Sequence, residues 1–171
     1  MKLPLRFFLK DWIVAVFMLF IMLLFPFSVN AAENILEITD QADKVLFSTP
    51  VSPECGFLIE YTHSVALTPV KDYFVVKNGD IYLTKTEYHD FGAGLPFETR
   101  DDQTMKFDNK RIVLDEINHK VSPFTLRVGR IAHHKLMLFE NRNGQCIQGK
   151  TIPLRKLTEA GRPLTFKMAE N

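Results

Sequence analysis

The sequence predicts an all-β fold, an antiparallel β-sandwich or barrel preceded by an N-terminal hydrophobic signal segment. Three observations carry that expectation. From residue 34 onward, short runs rich in Val, Ile, Phe, Tyr and Thr alternate with Gly, Pro, Asn and Asp, the composition of strands and their turns. Turn signals recur every strand length, and no helical stretch is long enough to cross over between parallel strands. The first 31 residues differ in kind, holding 6 of the 15 phenylalanines, the only tryptophan and none of the 8 glycines.

That first stretch reads as an export signal. Lys2, Arg6 and Lys10 form a basic head, and Trp12 to Phe25 is an uninterrupted apolar run before Pro26. A membrane-spanning helix needs about 20 apolar residues, so the run fits the core of a signal peptide better than a span. Val29, Asn30 and Ala31 supply small residues at the third and first positions before a cut, so the mature chain is expected to start at Ala32. An uncleaved anchor is the alternative. Either way the body is expected to be periplasmic or otherwise extracytoplasmic, and no cysteine follows the leader to take a lipid. The expected division is a leader at 1–31, one β domain at 32–157 and an irregular tail at 158–171, in which Gly161 and Pro163 interrupt any period.

Charge and cysteine content bound the function. Setting aside Lys2, Arg6, Lys10 and Asp11 from 21 basic and 20 acidic residues leaves 18 and 19, a near-neutral body. Nucleic-acid binding by electrostatics needs a clustered basic excess and is excluded. With 46% hydrophobic residues and no low-complexity run, the body has the material for a core. Cys55 and Cys146 are an even pair in an exported body and are expected to form a disulfide, with two buried thiols as the alternative.

Taken in order, the first element with a clear period is Phe57 to Val65, where Phe57, Ile59, Tyr61, His63 and Val65 share one face. Asn78-Gly79 next marks a two-residue type I′ hairpin turn. Counting outward from it pairs Lys77 with Asp80, Val76 with Ile81, Phe74 with Leu83, Asp72 with Lys85 and Val70 with Glu87. A second turn near 108–110 joins Thr104–Phe107 to Ile112–Leu114. A third at Asn141 to Gly144 joins Leu136–Glu140 to Cys146–Gln148.

Chemistry-bearing residues are sparse. His63 and Ser64 are adjacent, so on a strand they point to opposite faces and cannot form a nucleophile and base; no GxSxG elbow exists. His63 and Asp72 fall on the same face of successive strands, where a carboxylate would orient the imidazole for binding or proton transfer. A core histidine beside an Asp72–Lys85 ion pair is the competing reading. Gly92 and Gly94, followed by Pro96, allow a loop whose N–H groups turn toward an anion, against a plain tight turn. Arg127 on a strand can take a substrate carboxylate in a bidentate pair, against an ordinary exposed arginine. No metal or cofactor is expected, since no CxxC spacing exists and the histidines are dispersed; His63 or His89 with Asp72 or Glu87 is the one zinc arrangement left open.

The blocks YTHSVALTPV at 61–70, Asp72-Tyr73, and FGAGLP at 91–96 together resemble domain-of-unknown-function family 1850, found in bacteria and archaea. The resemblance covers roughly residues 35 to 155. His63, Ser64, Val65, Thr68, Pro69, Gly92, Gly94, Leu95 and Pro96 match the family pattern. Asp72 stands where Glu is usual, and Ala66 and Leu67 stand where polar residues are common. The family has no established activity. Its genes often neighbour those of tripartite ATP-independent periplasmic transporters with fused permease subunits, which implies an accessory role.

The sequence therefore leads to an exported binding or accessory protein rather than an enzyme. Its expected partners are a membrane or solute-binding subunit of such a transporter and a small organic anion, met by His63, Asp72, Gly92, Gly94, Pro96 and Arg127. The alternatives are a periplasmic hydrolase or lyase using His63 and Asp72 as an acid/base pair, and a structural envelope protein without ligand.

Overall fold

A computed structural model describes residues 34–89, 99, 103–108 and 111–169. Among these residues twelve strands carry the fold: β1 (Ile35–Thr39), β2 (Val45–Pro50), β3 (Phe57–Thr62), β4 (Pro69–Lys77), β5 (Asp80–Tyr88), β6 (Thr104–Asp108), β7 (Arg111–Asp115), β8 (His119–Lys120), β9 (Phe124–Arg127), β10 (Lys135–Arg142), β11 (Gln145–Pro153) and β12 (Pro163–Met168). The only helical turn among the described residues is a 3₁₀ turn at Leu154–Lys156. Among the described residues all the pairings are antiparallel, and no helix crosses over between strands.

The strands form two sheets. One runs β2-β1-β12-β9; the other runs β11-β10-β3-β4-β5-β7-β6, with the short β8 pairing β5. Both paths end in edge strands, so neither sheet closes on itself and the barrel alternative does not form. The two sheets share one core. Leu36, Ile38, Leu164 and Phe166 from the smaller sheet meet Phe57, Ile59, Phe74, Val76, Ile81 and Leu136 from the larger. A file of stacked rings crosses between them, Phe57 on Phe74 at 5.0 Å, Phe74 on Phe124 at 5.1 Å and Phe124 on Phe166 at 4.8 Å. A smaller cluster of Val70, Tyr88 and Ile112 touches the first through Tyr61.

The turns follow their residues. Asn78 and Gly79 both take positive φ, 53° and 78°, as a type I′ turn demands, and Lys77 faces Asp80 across it. Asn143 and Gly144 do the same at 54° and 81°, joining β10 to β11. β6 and β7, on either side of the turn expected near 108–110, pair with Asp108 opposite Arg111, while residues 109 and 110 themselves lie outside the described residues. The cysteines form the expected disulfide, linking positions 91 residues apart.

Two expectations are corrected. The β4–β5 register holds from Lys77–Asp80 to Phe74–Leu83 and then slips by one residue, so Asp72 faces Thr86 rather than Lys85, and Lys71 rather than Val70 faces Glu87. The cause is a bulge at Thr84, where β5 changes neighbours: β8 pairs it at Tyr82 and Leu83, β7 pairs it from Thr86 onward, and Ile117 N–H donates to the Thr84 carbonyl between them. The second correction is the tail. Residues 158–171 contain β12, which lies between β1 and β9 with Leu164 and Phe166 fully buried. The alternation of Leu164, Phe166 and Met168 is a strand period that begins at Pro163, and proline is tolerated at a first strand position.

Candidate functional site

The first motif, residues 61–70, lies at one end of the larger sheet, where β3 ends and β4 begins. Thr62 pairs with Pro69, and residues 63–68 between them make a compact loop. His63 builds it. Its backbone N–H donates to the Thr68 carbonyl at 2.8 Å, and its own carbonyl accepts from Leu67 N–H at 2.9 Å. Its ring Nδ1 accepts from the N–H groups of Val65 at 3.3 Å and Ala66 at 3.1 Å. The ring is buried, so these donors are satisfied by an acceptor shielded from water. Leu67 holds φ at 55°, a left-handed conformation that costs a branched residue energy, and the bracing by His63 keeps it there. The Thr68 hydroxyl is buried without a hydrogen-bond partner among the described residues.

A second loop lies against the first. It follows β9 and leads into β10, and Thr62 N–H donates to the Ala132 carbonyl at 2.7 Å. Within it His133 takes φ of 47° and is exposed, while His134 is buried. The His134 ring stacks on Tyr61 at 5.3 Å, and its Nδ1 accepts from Gly129 N–H at 3.4 Å. Burial lowers its pKa below the usual imidazole value, so the ring stays neutral at pH 7.

Asp72 occupies a different place. Across the larger sheet, Leu136, Ile59, Asp72, Thr86 and Leu114 stand opposite one another in a single row, on the face turned to the core. The carboxyl therefore has isoleucine on one side, while the Thr86 hydroxyl donates to its Oδ1 at 2.8 Å. Desolvation raises its pKa to about 6, with the Thr86 bond pulling the other way. The same burial, with the Asp72 charge added, raises the Tyr61 phenol.

The expected convergence of site residues is only partial. His63 and Asp72 share a sheet face, but the residue opposite Asp72 is Ile59, four positions back along β3, a separation of about 13 Å at the strand rise. Asp72 is bonded to Thr86 and His63 to its own loop, so they do not form an acid/base pair. Arg127 lies on the other sheet, at the exposed end of β9, and its Nη1 donates to the Gly161 carbonyl at 2.7 Å. It does not join them. Gly92, Gly94 and Pro96 lie outside the described residues. Among the described residues no group of three or more His, Cys, Asp or Glu is arranged to hold a metal ion.

Sequence reasoning missed the contact of Tyr61 with His134 at the loop end, and Thr86 as the partner of Asp72. Thr86 was hidden by the bulge. His134 carried a readable signal, since it has the same parity as Leu136 and Leu138, both buried on the core face. A separate open depression of about 460 Å³ lies beside the smaller sheet, lined by Asp40, Gln41, Thr158, Glu159 and Arg162, and no motif announced it.

A comparison with protein families matches residues 57–148 to the model described as Domain of unknown function (DUF1850). The matched span opens at the first residue of β3 and closes within β11, so it takes in both sequence motifs, Asp72 and nearly all of the larger sheet. No curated protein and no solved structure matches the chain. With more than half of its residues inside that span, the chain belongs to the DUF1850 family.

Proposed function

We propose that this protein is an exported accessory module that recognises a subunit of a tripartite ATP-independent periplasmic transporter, and that it is not an enzyme. The observation that carries the reading is the fate of His63. Its Nδ1 accepts from two N–H groups of its own loop, while Asp72 stands about 13 Å away along the sheet with the Thr86 hydroxyl on its Oδ1, so His63 acts on the loop backbone rather than on Asp72. What the histidine supports is a braced loop, which is the property of a recognition surface. Export to the extracytoplasmic side is supported by the form of the leader and by the Cys55–Cys146 disulfide, a bond of oxidising compartments. The transporter association rests on the gene neighbourhood that the family resemblance implies.

A small organic anion is the second reading, and Asp72 favours it in one respect. A carboxyl titrating at about 6 is protonated in mild acid and can then donate to a ligand carboxylate. Arg127 is not there to help.

The test is affinity purification of a C-terminally tagged copy from native membranes in mild detergent, with co-purifying proteins quantified against an unrelated exported control. Enrichment of the transporter's membrane or solute-binding subunit is the expected result. Recovery of the protein alone, together with turnover of any candidate solute, would reverse the reading.

A further inference from the structure

We infer that the end formed by residues 63–68 and 129–134 docks on an anionic membrane surface, with Val65, Leu67 and Ile131 entering the lipid interface and Arg130 meeting lipid phosphates. Val65 is 72% exposed, Leu67 65% and Ile131 57%, a concentration of bare aliphatic side chains on two adjacent loops. The Thr62 to Ala132 bond holds those loops side by side. Neither loop is slack: His63 braces the first, and each carries a non-glycine residue in the left-handed region, Leu67 and His133. A strained conformation that keeps a leucine in water is maintained for something that covers it.

The chemistry favours lipid over protein as the cover. Protein hot spots are enriched in Trp, Tyr and Arg seated in pockets and poor in Val and Leu, whereas projecting aliphatic tips flanked by cations suit an acyl boundary beneath anionic headgroups. The flanks are cationic here. Residues 61–71 and 117–139 contain no Asp or Glu; Glu60, near the end of β3, is met by Lys135 at 3.0 Å and Lys71 at 3.8 Å, which leaves that group net positive, and Arg130 stands exposed beside Ile131. On the loops of the smaller sheet, residues 40–44 and 154–162 hold Asp40, Asp43 and Glu159 against Lys44, Arg155, Lys156 and Arg162. This inference goes beyond the transporter reading and does not depend on it.

The test places an indole at the loop. Trp12 is the only tryptophan, so the full chain carrying Trp12→Phe and Val65→Trp reports from position 65 alone. It is mixed with vesicles of phosphatidylglycerol and phosphatidylethanolamine bearing brominated acyl chains, and with brominated phosphatidylcholine vesicles. A companion chain carries Trp12→Phe and Gln145→Trp, at the far end of the β10–β11 hairpin. The expected result is a roughly twofold or larger quench at position 65 on the anionic vesicles. Little quench is expected on phosphatidylcholine, none at position 145, and a smaller one at 65 when Arg130→Glu is added. The inference is overturned if the chain floats with anionic vesicles while the indole at 65 stays unquenched, if 65 and 145 quench alike, or if the chain does not bind. It is equally overturned if the indole at 65 is shielded only when a purified transporter subunit is added, for then the end is a protein-docking face.

Discussion

Asp72 is held in an environment that disfavours its charge. Burial beside Ile59 raises its pKa to about 6 against an unfolded value of 3.8. The folded state therefore binds its proton more tightly, so this residue's contribution to stability is fully present below pH 3.8 and lost as pH rises through about 6. A pKa gap of about 2 corresponds to roughly 3 kcal/mol. Asp72→Asn keeps an acceptor for Thr86 and removes the charge. It is expected to raise unfolding free energy at pH 8 by up to about 3 kcal/mol and to leave it little changed at pH 4, read by urea denaturation at both values. His134 slopes the other way, since its lowered pKa gives stability that is lost as pH falls, so the difference between wild type and variant isolates Asp72. An equal effect at both pH values would show that the carboxyl is not titrating in place. The aspartate was visible in the sequence as a candidate, but its partner was not, because a single extra residue at Thr84 exchanges Lys85 for Thr86.

The β3–β4 loop is where residue chemistry becomes the shape of an element. His63→Ala removes the acceptor for two backbone N–H groups, and it is expected to cost about 1 to 3 kcal/mol and to speed hydrogen exchange at Val65 and Ala66. Protection at those amides that survives the substitution would mean that the ring is not the brace. Leu67→Gly should have the opposite sign. Glycine enters the left-handed region freely, so the substitution is expected to be neutral or stabilising by up to about 1 kcal/mol despite its added chain entropy. Alternation in the sequence located β3 and placed His63 on its inner face. It gave no sign that the strand stops at Thr62, because His63, Val65 and Leu67 continue the same period. What ends the strand is the ring's bond to the following backbone, a contact between neighbours that periodicity does not record.

At the scale of the molecule, two sheets share a core through the stacked file of Phe57, Phe74, Phe124 and Phe166. The disulfide closes a 91-residue separation around the larger sheet. Chain entropy assigns such a closure about 4 to 5 kcal/mol, so Cys146→Ser is expected to lower unfolding free energy by several kcal/mol without changing the far-UV spectrum at 25 °C. All-β composition, the type I′ turn at Asn78-Gly79, the turn at 141–144 and the cysteine pair were legible because each rests on local chemistry. The open sheets, the insertion of β12 between β1 and β9, and the distance from Arg127 to Asp72 were not, because they depend on which strands meet across long stretches of chain. The same limit applies to the candidate site. His63 and Asp72 looked like a pair by parity alone, and register keeps them apart. The most direct test of the recognition reading is therefore the membrane purification run side by side on wild type, His63→Ala and Asp72→Asn. The account predicts a transporter subunit enriched with wild type and with Asp72→Asn but depleted with His63→Ala, whose loop is released; undiminished enrichment with His63→Ala, or none with any of the three, would contradict it.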